Sequence, residues 1–123
     1  MSINLVEMFY QIEAYHQELG YDVTKMTETE RLTYLRGQAL GLFQEVAELV
    51  NAFPWKPWRP ISSQVYDFGN AVEEVIDCLF FLVGICEAGK ISSQEVETVF
   101  QAKLAANYAR ILSGYNNKPE ERG

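Results

Sequence analysis

Glu45 and Glu48 stand three residues apart in one apolar stretch, and Glu74 and Asp77 stand three apart in another. Residues three apart on a helix project to the same side, so each pair can offer four carboxylate oxygens to one point. Asp77 is the only charged residue in the twelve from Val75 to Cys86. Such a segment reads as a buried helix. An unpaired carboxylate buried there would cost several kcal/mol, so something cationic is expected to meet it. Two acid pairs on separate helices suit a shared hard cation, Mg²⁺ with Mn²⁺ as a possible substitute. His16 is the only histidine, which argues against zinc or iron. With 17 acidic residues in the chain the spacing by itself carries little, and most of those acids belong on a solvated surface. The apolar setting carries the argument. At 100° per residue Glu45 falls between Leu49 and Ala52, Glu48 lies one step further round, and Glu74 and Asp77 flank Phe81, so each pair borders an apolar stripe.

Two other groups could meet an anionic, aromatic ligand. Lys56 and Arg59 alternate with Trp55 and Trp58 only eight residues past Glu48, combining cations with stacking rings. The plain alternative is that the tryptophans cap a helical core while the cations are solvated. Lys103, Asn107 and Arg110, at spacings of four and three, share one helical face and form a basic strip, which on its own reads equally as an exposed face.

Four helices must position these residues. Apolar spacing from Ile3 to about Leu19, stopped by Gly20, predicts the first. Thr27 and Glu30 form a candidate capping box, from which the pattern runs about 25 residues to Pro54. Three prolines between Pro54 and Pro60 exclude regular helix and predict an ordered, aromatic-rich loop. The third helix starts between Tyr66 and Asn70 and ends near Ala88, with Gly89 suited to the residue after the cap. Ser92 and Glu95 make a second capping box, opening a helix to about Ser113 and Gly114. No segment alternates with period two. The fold class is all-α, a four- to five-helix bundle. Its third helix is apolar nearly all round, which predicts that another copy of the chain covers part of it.

At 123 residues the chain reads as one domain, residues 1–115, with a polar tail at 116–123 expected to fray. The net charge of −7 argues against nucleic-acid binding, which rests on phosphate neutralisation. Metal ions can nevertheless let an acidic protein bind a phosphorylated small molecule. Cys78 and Cys86 lie about 12 Å apart along one helix and cannot bridge. With no signal-peptide pattern and no apolar run of membrane-spanning length, the expectation is a cytoplasmic protein without a membrane partner.

Glu45-x-x-Glu48, a 25-residue gap and Glu74-x-x-Asp77 together resemble the E-x-x-E…E-x-x-D metal motif of the all-α nucleoside triphosphate pyrophosphatases, the superfamily of MazG and the dimeric dUTPases. The stretch Glu45 to Asn51 followed by Lys56-x-Trp58 is similar to the dUTPase-like branch, as is Lys103-x-x-x-Asn107-x-x-Arg110 closing on Gly114-Tyr115. The resemblance covers about residues 38 to 115. It implies an oligomeric hydrolase, dimer or tetramer, that converts a deoxynucleoside triphosphate to the monophosphate and pyrophosphate, with dUTP favoured. Glu45, Glu48, Glu74 and Asp77 would hold Mg²⁺, and one of them would accept the proton of the attacking water. Lys103 and Arg110 would bind phosphate oxygens, Asn107 and Tyr115 would position sugar or phosphate, and Lys56 with Trp58 would close over the nucleotide. Gln11 and His16 are the hydrogen-bonding groups on the first helix available to a base. A broader MazG-like enzyme acting on dCTP or modified nucleotides would keep the same acids, whereas a non-enzymatic helical module would spend them on solvent and salt bridges. The loop prolines and the short chain depart from the dUTPase-like pattern, so pyrophosphohydrolysis is better supported than uracil specificity.

Overall fold

A computed structural model describes residues 2–114 of the chain. They form four α-helices: α1 Leu5–Glu18, α2 Glu28–Asn51, α3 Phe68–Ala88 and α4 Ser93–Leu112. Short 3-10 turns at Val23–Lys25 and Ile61–Ser63 lie in the connections, and no strand occurs among the described residues. The all-α class read from helical spacing is the class found.

Local chemistry explains where the helices start and stop. Thr27 with Glu30 and Ser92 with Glu95 form the two capping boxes, each satisfying two backbone donors that the first turn cannot pair internally. Asn4 accepts from the Glu7 amide at 2.9 Å and Asp67 from the Asn70 amide at 3.1 Å, which fixes the starts of α1 and α3. Gly20, with φ +93°, closes α1. The end of α3 departs from expectation. Gly89 is itself the cap, with φ −84°, and the left-handed residue is Lys90, with φ +58°. A side chain in that region costs about 1–2 kcal/mol, which a glycine would avoid.

The chain divides into two compact units, one ending at Lys90 and the other beginning at Ile91. In the first, α3 packs against α2 and α1. The α2 to α3 seam can be followed rung by rung. Glu45 meets Glu74, Gly41 lies under the Phe81 ring, Gln38 rests on Gly84, and the Arg31 guanidinium donates to the Ala88 carbonyl at 2.6 Å. Numbers fall on α2 as they rise on α3, so the two helices are antiparallel. Gly41 and Gly84 leave no room for a methyl group, and their bare backbones are what let Phe81 and Gln38 lie in the seam. Phe9, Ile12, Tyr34, Ala71, Val83 and Cys86 fill the core of this unit. Cys78 and Cys86 are both free thiols, in line with their spacing.

The apolar surface of α3 is only partly buried within one chain, as its all-round apolar character predicts. Val72, Val75, Ile76 and Leu82 are exposed, because α1 and α2 cover only part of an all-round apolar surface. In the second unit every residue of α4 from Glu97 onward is exposed, including Val99, Phe100, Leu104, Tyr108, Ile111 and Leu112. Among the described residues no helix is long and apolar enough to cross a membrane.

Candidate metal centre and the cavity beside it

Where the end of α2 lies against the start of α3, the seam brings the first acid pair to Glu74. Glu45, Glu48 and Glu74 each present a carboxylate oxygen within 4.8 Å of the others. Asp77, the fourth acid of the motif, stands outside this group. Its side chain is exposed rather than buried, which corrects the reading from its apolar neighbours, and it shares with Glu45 the lining of a cavity of about 770 Å³. The separation follows from α3 geometry, since Asp77 lies most of a turn beyond Glu74 and on the other side of the row headed by Phe81.

The electrostatics of the centre are those of crowded anions. The Glu45 carboxyl is pushed up to about 7, first because it can share a proton with Glu74, then by burial, then by Glu48. The Oε2 atoms of Glu45 and Glu74 are buried without any hydrogen-bond partner. Two buried acceptors that have no donor would each cost about 1–3 kcal/mol, and a bound cation removes the deficit for both. The neighbouring Cys78 thiol is pushed up by its burial and by Glu45, Glu74 and Asp77, which keeps it protonated and a poor metal ligand. Oxygen donors only, three of them convergent, fit Mg²⁺ or Mn²⁺.

From the carboxylates the cavity extends to a wall of α1 and α2 residues, His16, Tyr34 and Gln38, with Phe80 and Phe81 of α3 beside them. His16 is buried, and its Nδ1 is bonded to the Glu87 carboxylate. Burial raises the Glu87 carboxyl while His16 lowers it. Gln11, the other α1 group considered for base recognition, lines a separate apolar groove with Met8, Ile12 and Ile76. Tyr34, Gln38 and Glu87 were not readable as site residues from spacing, because nothing local marks them. Only the antiparallel α2 to α3 pairing carries Tyr34 and Gln38 to one cavity with Phe80 and Phe81, while Glu87 is bonded to His16 of the same lining.

The loop between α2 and α3 is ordered, as its prolines predict. Gln64 braces it, accepting from the Lys56 amide at 3.0 Å and donating to the carbonyls of Lys56 and Arg59 at 3.0 and 3.1 Å. The Asp67 amide donates to the Ala52 carbonyl at 2.8 Å, closing its two ends. Trp55 donates to Asn51 and meets Trp58 edge to face, with centroids 5.4 Å apart. Trp58 is 66% exposed, so it does not cap the core. Lys56 and Arg59 line a recess of about 300 Å³ with Asn51, Ser63 and Gln64. In the second unit Lys103, Asn107 and Arg110 lie along one exposed face of α4, and Arg110 donates to Asn107 at 3.4 Å. Tyr115 lies outside the described residues.

Comparison with protein families finds one described as dUTPase whose model matches residues 4–118. No curated protein and no solved structure matches. A match over nearly the whole chain, on an all-helical fold, agrees with the motif of paired acids that the sequence carries. The chain belongs to the all-α dUTPase family.

Proposed function

We propose that the protein is a Mg²⁺-dependent pyrophosphohydrolase that converts a deoxynucleoside triphosphate, dUTP by preference, to the monophosphate and pyrophosphate, and so tends the nucleotide pool of the cytoplasm. The observation that carries this reading is the convergence of Glu45, Glu48 and Glu74 from two helices with two of their buried oxygens unpartnered. Magnesium, when bound, would supply neutralisation of the triphosphate and activation of a water. The carboxylates of Glu45, Glu48 and Glu74, with Asp77 on the strength of the acid motif, would hold the ions, and one of them would take the proton of the attacking water. Lys56 and Trp58 would meet the nucleotide from the loop, and Lys103, Asn107, Arg110 and Tyr115 would bind phosphate and sugar, roles that the resemblance of these residues to the motifs of the dUTPase-like branch implies. The family match also supports a nucleotide substrate over a helical interaction module without activity.

A panel of dUTP, dCTP, dTTP and dATP with Mg²⁺ tests the substrate. We expect dUTP to exceed dTTP by at least about tenfold in kcat/KM, the lower end of what excluding one methyl group achieves. Comparable hydrolysis of all four would replace uracil preference with a general MazG-like pyrophosphatase. The uncovered apolar faces of α3 and α4 support a homo-oligomer, dimer or tetramer, in solution. Sedimentation should show no dominant 14.1 kDa species at micromolar concentration, and a monomer alone would remove oligomerisation from the account.

A further inference from the structure

The face of α2 that carries Glu45 continues two turns toward the start of the helix. Gln38 lies seven residues before Glu45, about 10.5 Å along the axis and within about 20° of it round the helix. Both residues line the cavity of about 770 Å³, together with Phe80 and Phe81 of α3. Gly41 stands between them on α2, and its bare backbone receives the Phe81 ring. The cavity therefore runs from an anionic end at Glu45, past aromatic surface, to an amide.

A second glycine holds Gln38 in that place. A methyl group built on Gly84 would overlap the Gln38 amide oxygen and the two carbons before it, so the side chain lies across the backbone of α3 rather than out in solvent. Gln38 is half-buried, and its amide has no hydrogen-bond partner among the described residues. Neither amide atom is closed off, whereas the hydroxyl of Tyr34 is sealed inside the fold, out of a ligand's reach. His16, on the α1 side of the cavity, has committed Nδ1 to Glu87. An amide offers an acceptor and donors side by side. Open and unpaired in a cleft lined mainly by aromatic rings, it is the kind of polar group that orients a ligand.

We propose that Gln38 binds the base of the nucleotide, Oε1 accepting from the N3–H of uracil and Nε2 donating to the neighbouring ring carbonyl, and that Gly84 is a positioning residue acting through it. The inference rests on the nucleotide reading above and deepens it. With the phosphates at the carboxylate centre, a base lying two helical turns away meets the amide, and the Phe81 ring borders the path between. The paired contacts require a donor beside an acceptor on the edge of the base. A uracil methylated at N3 has lost that donor and is rejected.

Gln38→Ala removes the amide and keeps a good helix former in α2. Calorimetry with a non-hydrolysable α,β-imido analogue of dUTP in Mg²⁺ should show affinity weakened at least about tenfold, the effect of losing a pair of hydrogen bonds. Affinity for inorganic triphosphate, which has no base, should stay within about twofold of wild type, as for a site that the substitution does not touch. The N3-methylated form of the analogue should bind the wild-type chain at least about tenfold more weakly than its parent, yet Gln38→Ala should bind the two within about twofold, because both losses remove the same contact. Gly84→Ala, whose added methyl displaces the amide, should bring the loss for the parent analogue and spare inorganic triphosphate. An analogue affinity of Gln38→Ala within about twofold of wild type, an equal loss for inorganic triphosphate, or a methyl penalty that persists in Gln38→Ala would each overturn the proposal. So would an analogue that does not bind the wild-type chain. Turnover of dUTP by the wild-type chain is scored separately: its absence would sink the pyrophosphohydrolase reading, while analogue binding would still decide the role of Gln38.

Discussion

Glu45→Gln is expected to lower kcat for dUTP hydrolysis by at least about a thousandfold while the helical circular dichroism spectrum stays that of the wild type. Glutamine keeps the volume of the side chain and removes the charge that a divalent cation needs. Loss of several kcal/mol of transition-state stabilisation, about 4 kcal/mol, corresponds to that factor. Glu48→Gln, Glu74→Gln and Asp77→Asn should show the same loss, the last on the strength of its place in the acid motif. Steady-state rates at saturating Mg²⁺ check this. Near wild-type activity in Asp77→Asn would remove that residue and leave a centre of three carboxylates, whereas near wild-type activity in Glu45→Gln would remove the centre from the reaction altogether.

The second large effect is on stability. Glu45 titrates at about 7 in the folded chain against 4.5 when unperturbed. Below the unfolded value both states hold the proton and the group is neutral in its effect. As pH rises from about 4.5 to about 7 the unfolded chain loses its proton first, so the metal-free fold is progressively destabilised, and above about 7 the full penalty remains. Discounted for solvent screening, the penalty is about 1–2 kcal/mol. The difference between wild type and Glu45→Gln isolates it from the cap carboxylates Asp22, Glu30 and Glu95, whose pKa values are lowered by their hydrogen bonds and which act in the opposite sense. In EDTA at pH 8 the variant should therefore melt above the wild type, and at pH 4.5 the gap should close. Mg²⁺ at 100 times its Kd should then raise wild-type stability by about 2.7 kcal/mol and Glu45→Gln by much less. A variant less stable than wild type in EDTA at pH 8 would indicate that Glu45 is paired in the fold rather than crowded.

Much of this arrangement is legible in the sequence because it rests on local rules. The capping boxes at Thr27 and Ser92 and the proline break after Asn51 are decided within one turn of chain, and each is where spacing puts it, whereas of the four acids only Glu45, Glu48 and Glu74 converge. Other features depend on which helix meets which. The bond between His16 and Glu87 joins residues 71 apart in sequence, and the unpartnered hydroxyl of Tyr34 has no signature beyond a tyrosine in a helix. Asp77 shows the limit of composition: eleven uncharged neighbours predict burial, yet a helix apolar on every side exceeds what α1 and α2 can cover, and Asp77 falls on an uncovered part. Glycine permits a left-handed φ without requiring it, and after α3 the chain puts that φ on Lys90 rather than on Gly89.

The central claim is that the carboxylate centre serves metal-dependent release of pyrophosphate. Phosphorus NMR of dUTP incubated with the chain and Mg²⁺, then with EDTA in excess, tests it most directly. Resonances of dUMP and pyrophosphate should grow in equal amounts and stop growing when EDTA is added. Orthophosphate with dUDP as products, or a rate that EDTA leaves unchanged, would contradict it.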